Sequence, residues 1–170
     1  MAVNLFTFVD LYARVLTSTD HLLTRGVEHA AATGVSEAGM LDWRLIGDMQ
    51  PLSFQFMVVC NFSTQWPARV ADLPLPESVG TDLDVAGFRN AILASRTWLE
   101  ALTPAQFEGR DDIALTIPIG DGSIKPTLPA GQWLTVFATT NLYFHLSTAY
   151  GILRAHGAPI GKLDLFASGF

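Results

Sequence analysis

The sequence predicts a mainly α protein, a four-helix bundle with a small β-hairpin before the last helix. Three observations carry this. Apolar residues recur at helical spacing over most of the 170 residues. Glycine and proline fall at the edges of those stretches. One short β-branched stretch, 113–119, is followed by a Gly-Asp-Gly turn signal. Residues 1–170 read as a single domain, long enough to bury a sizeable core.

The first helix is expected over residues 3–33. Leu5, Val9, Tyr12, Leu16, Leu23, Val27 and Ala30 form its apolar stripe, and Gly34 ends it. Residues 35–48 are a link with a short helical turn near Glu37–Asp42. Pro51 suits the first turn of the second helix, where its missing N–H costs nothing. Asp48 precedes it and reads as the cap. Leu52, Phe56, Val59, Trp66 and Val70 form the buried face, with Pro67 expected to kink or interrupt it. Leu73-Pro-Leu-Pro76 closes the segment.

Asp82 or Asp84 caps a third helix, 84–102, with Phe88, Ile92, Ser95 and Leu99 on one face. Thr103-Pro104 begins a short turn. Residues 113–119 and 123–128 make the two strands, weakened by Pro118 and Pro126. The fourth helix runs from Pro129 to His156 and stops at Gly157. Leu134, Phe137, Phe144 and Ile152 share one of its faces, and Val136, Tyr143 and Tyr150 the opposite one. A helix apolar on both sides needs cover on both sides.

Bulk composition excludes several functions. A net charge of −6 with no Lys/Arg run argues against nucleic acid or an anionic membrane as partner. A charged fraction of 15% leaves a thinly charged surface, which predicts a homodimer. One cysteine, Cys60, rules out an intrachain disulfide and makes the reducing cytoplasm the default location. Residues 1–23 read as an amphipathic helix, because Asp10 and Arg14 interrupt them and no basic n-region is present. No run of 18 apolar residues suggests a membrane span.

Chemistry-bearing residues are few. Asn141 and His145 are four apart on the fourth helix, which places them within about 40° on one face. That is the spacing of a metal-binding pair. Cys60 has no Lys, Arg or His within a helical turn and reads as a structural thiol. His21, His29 and His156 form no close cluster in sequence, and the tryptophans read as core or interface. Phosphate loops, nucleophile elbows and Cys-x-x-Cys pairs are missing.

Phe144-His145, Thr148-Ala149-Tyr150, Ile152-Leu153-Arg154, Gly157 and Gly161-Lys162 resemble a small uncharacterised family of the DinB/YfiT-like superfamily. Asp48-Met49-x-Pro51-Leu52 and the Pro118-x-Gly120 turn belong to the same pattern, so the resemblance spans nearly the whole chain. It implies a metal-binding four-helix bundle, often dimeric. Many members hold a divalent ion with three histidines, one on the second helix and two in a His-x-x-x-His on the fourth. Known activities include transfer of cytosolic thiols to electrophiles.

Here Asn141 takes the first place of that motif and His145 the second. The second helix has no histidine, and Gln55 lies nearest the expected position. The metal set implied is therefore His145, Asn141 and Gln55, with Asp48 as the nearest carboxylate. Amide oxygens suit hard cations better than zinc or nickel, so no cofactor is expected. His145 otherwise reads as a core histidine or an acid/base group. Two functions remain. One is a small-molecule-binding or dimeric module with a degenerate metal site. The other is a divalent-metal-dependent transferase or hydrolase, thiol-transferase-like, using Zn or Ni.

Overall fold

The structure, a computed structural model, describes residues 4–169. Helix accounts for 61% of it, and the only sheet among the described residues is two-stranded. Helix α1 spans Thr7–Ala32. A turn precedes it, in which Asn4 Oδ1 accepts the Phe6 N–H at 2.9 Å. The predicted start at residue 3 lies outside the described residues. Gly34, at φ 74°, supplies the left-handed turn that follows. Helix α2, Glu37–Leu41, is capped by Ser36, whose Oγ accepts from the Gly39 N–H.

Helix α3, Leu52–Ala71, is the predicted second helix, and two expectations about it need correction. Asp48 does not cap it. The flanking residue is Pro51, without a side-chain cap, and the Leu52 N–H is met by the Trp43 carbonyl at 2.8 Å. Pro51, which carries no side-chain acceptor, takes the capping position, and Asp48 stays exposed three residues before it. Nor does Pro67 interrupt the helix. It removes one donor near the C-terminal end, and burial of Trp66, Pro67 and Ala68 holds that turn in place.

Helix α4, Val85–Glu100, begins as expected, with Asp84 Oδ1 accepting from the Gly87 N–H at 2.7 Å. Of the two candidate caps, Asp84 is the one used. The hairpin pairs β1, Ala114–Thr116, with β2, Thr127–Pro129. It is shorter than the predicted strands. Pro118 and Pro126 lack ladder donors, and beyond Thr116 the pairing shrinks to an Ile117 N–H bond to the Pro126 carbonyl and an Ile119–Ile124 bridge.

The predicted last helix is present over its full length but is not regular. It comprises α5, Ala130–Gln132, a π-helical segment, Trp133–Ala138, and α6, Thr139–Ala155. Side chains steady the wide turns. The Leu134 carbonyl accepts from the Tyr12 hydroxyl at 2.8 Å and from Thr139 Oγ1 at 2.9 Å. Burial drives the Tyr12 phenol pKa well up, so it stays a donor. Gly157, at φ 91°, ends the helix.

Contacts along the helices give their directions. Tyr12 meets Leu134 and His29 meets His156, so α1 and α6 run parallel. Gln55 meets His145 and Trp66 meets Trp133, so α3 and α6 are antiparallel. Phe56 packs on Phe88, and Ser95 lies beside Cys60, so α3 and α4 run parallel. Parallel neighbours require a chain that returns along the bundle, and residues 73–83 provide it. Asn61 clamps this return at Val79 through both its amide atoms, and Gln65 reaches Ser78.

The core lies between the four long helices and includes Tyr12, Leu16, Phe56, Phe88, Trp133 and Leu142. A 3-10 turn, Lys162–Phe166, is tied to α1 by Ser18 Oγ on the Leu165 carbonyl and by His21 on Asp164. No helix among the described residues is long and apolar enough to cross a membrane.

Candidate functional site

The α3–α6 contact places His145 against Gln55. Nδ1 of His145 lies 2.8 Å from Gln55 Oε1. The Gln55 amide nitrogen donates to the carbonyls of Gln50 and Pro51, at 3.0 and 3.3 Å, which turns Oε1 toward the imidazole. An amide oxygen only accepts. Nδ1 therefore carries the proton and Nε2 the lone pair. Burial lowers the His145 pKa from 6.5 to about 4, so the ring is neutral at pH 7. Phe54 and Phe144 flank it at centroid distances of 5.9 and 5.1 Å. Nε2 makes no hydrogen bond among the described residues.

The other predicted site residues are placed differently. Asn141 turns back on its own helix, its Nδ2 donating to the Phe137 carbonyl at 2.8 Å. Asp48 is exposed and makes no hydrogen bond or ion pair among the described residues. Phe144, expected on the covered face, is 56% exposed and touches His145 by its edge. Leu134 and Ile152 are buried as expected.

This donor set does not fit the implied metal. Gln55 Oε1 is engaged with His145 Nδ1, which leaves one imidazole nitrogen and one amide oxygen. A zinc site needs at least three protein ligands drawn from His, Cys and carboxylate. No group of three such residues could hold a metal ion among the described residues.

Other groups settle into structural roles. Cys60 is fully buried beside Ser95, and burial pushes its thiol up to about 12, so it is not a thiolate at neutral pH. Trp43 stacks flat on His156 at 4.4 Å and meets the edge of His29 at 6.0 Å. His29 also bonds the His156 carbonyl at 2.8 Å. Sequence spacing hid this cluster, whose members come from three separate segments.

A cavity of about 640 Å³ lies on the α1 side of α6, away from His145. Leu11, Val15, Tyr143, Leu146 and Leu165 line it, with Arg14 and Lys162. Its size is that of small-molecule sites.

Comparison with known proteins agrees with this architecture. Residues 6–166 match the family described as Domain of unknown function (DUF1993). The chain is also similar to a DinB family member protein from Shewanella denitrificans, known from a crystal structure. The two share 28% identity at a TM-score of 0.82, over 95% of this chain and 91% of that one. No curated protein matches the sequence significantly. The chain belongs to the DUF1993 family.

Proposed function

We propose that this DUF1993 protein is a homodimeric, cytoplasmic small-molecule-binding bundle whose ancestral metal position has become a hydrogen-bonding slot. One observation carries the reading. His145 is a neutral imidazole with Nδ1–H tied to Gln55, its Nε2 lone pair unused among the described residues and its ring flanked by Phe54 and Phe144. Such a slot suits an uncharged apolar ligand that carries one hydrogen-bond donor. The donor meets Nε2, and the rings cover the apolar body.

Phenol is a probe for this slot, with toluene as the donor-free control. Phenol is expected to shift the His145 Nε2 resonance saturably in nitrogen NMR, and toluene to leave it in place. Equal shifts from both would sink the reading. Metal is tested in parallel. Calorimetry with zinc or nickel is expected to show no tight stoichiometric binding. Near-stoichiometric metal that disappears in His145→Ala would instead favour a metal-dependent transferase or hydrolase.

The homodimer rests on the outer face of the last helix. Val136 and Tyr143 are exposed there, and no charged side chain intervenes between Trp133 and Leu153. Specific dimers bury roughly 1,600 Å² in total, largely uncharged at the centre. Light scattering at micromolar concentration is expected to give twice the chain mass, and Val136→Glu with Tyr143→Glu to give the monomer. A wild-type monomer contradicts the proposal.

A further inference from the structure

Arg69 sits on the last full turn of α3, where the helix meets the hairpin. By helical rise it is about 21 Å from Gln55. Its guanidinium lies over the Trp66 ring at 5.3 Å. Nη1 donates only to neutral acceptors, the Gln65 carbonyl at 3.1 Å and Gln65 Oε1 at 3.4 Å. Nε and Nη2, which share one edge of the plane, make no hydrogen bond among the described residues. No carboxylate pairs with Arg69 among them either. Asp72, the neighbouring acid, is turned to Arg110 at 3.8 Å, with its side chain 83% exposed. Partial burial lowers the Arg69 pKa, a cost of desolvation that no anion offsets.

Two cavities, of about 200 and 390 Å³, open on either side of this guanidinium. Arg69, Ile117 and Pro118 line both. Phe62, Gln65 and Phe137 wall the first, and Asp72, Leu73 and Leu75 the second. The hairpin is thus a roof over a cationic edge in largely apolar walls, with the only acid, Asp72, confined to the second cavity.

The geometry points to a binding site at Arg69 for a monoanionic organic carboxylate with an apolar body. A carboxylate matches the free Nε/Nη2 edge with two parallel hydrogen bonds. The apolar body fills the lobe walled by Phe62, Ile117 and Phe137, away from Asp72. A phosphate dianion fits less well, because one guanidinium in apolar surroundings leaves half its charge unpaired. The site is separate from the His145 slot and does not rest on that reading.

The probe is 2-naphthoate, followed by Trp66 fluorescence and amide NMR. Wild type is expected to bind it saturably, with shifts centred on residues 62–69 and 115–120. Arg69→Met and the neutral isostere 2-naphthalenemethanol should each weaken binding roughly 10- to 100-fold. Ile117→Trp keeps the charge, fills the lobes and should also abolish binding, so the result stands even if Arg69→Met fails to fold. His145→Ala should leave the affinity unchanged. The proposal is overturned if naphthoate shows no saturable binding, if the alcohol or inorganic phosphate binds as tightly, or if His145→Ala removes the binding.

Discussion

Trp133→Ala is expected to lower unfolding free energy by about 3–5 kcal/mol, measured by urea titration. The indole is completely buried and stacks on Trp66 at 5.2 Å with 22° between the planes. Phe137 meets its edge at 5.2 Å. Its Nε1–H is donated to the Leu115 carbonyl at 2.9 Å, which fastens the hairpin to the bundle. Truncation removes the stacking area, opens a cavity and leaves that carbonyl without its donor. Trp133→Phe keeps most of the volume and loses the hydrogen bond, so it should cost about 1–2 kcal/mol. A loss under 1 kcal/mol for the alanine variant would mean that the aromatic cluster does not hold the hairpin end together.

Acid is expected to weaken the fold through His145. Its folded pKa, about 4, lies below the unfolded value of 6.5. Between those values the unfolded chain binds a proton that the native ring refuses. The stabilisation is therefore complete above about pH 6.5 and is lost as pH falls toward 4. Allowing for solvent screening of the half-buried ring, the loss is about 1–2 kcal/mol. His145→Ala should cost about 1–3 kcal/mol at pH 7, from the cavity and the unpaired Gln55 oxygen. It should also flatten this part of the pH profile. Equal slopes for wild type and variant between pH 6.5 and 4 would assign the acid sensitivity elsewhere. An NMR midpoint for His145 near 6.5 would do the same.

Much of the fold was legible in the residues, because local signals agreed with the final packing. Asp84 and Gly157 mark helix ends by chemistry that acts within a turn or two. The apolar stripes of α1 and α4 are buried as their spacing implies. What escaped reading depends on distant chain. Asp48 has the right composition for a cap, yet the Trp43 carbonyl takes the Leu52 N–H. Arg69 looks like any surface arginine until the hairpin, some 50 positions later, roofs it over. Gln55 came into view through family resemblance, and its hydrogen bond to His145 depends on the α3–α6 register. Phe54 had no signal beyond being apolar next to Gln55. Helical periodicity also assumes a constant turn, which the last helix does not keep.

That irregularity settles what the last helix is able to show to its neighbour. His145 lies twelve positions after Trp133. At about 100° per residue, a regular α-helix would leave their directions about 120° apart. Both nevertheless face α3, one on Trp66 and the other on Gln55. The π-helical turns between them absorb about one residue of rotation, which shrinks the angular offset to about 20°. The wide turns thus work as a phase shifter. With the surplus residue taken up, an indole at one end and an imidazole at the other come into register along one seam, which a uniformly wound helix of this sequence could not achieve.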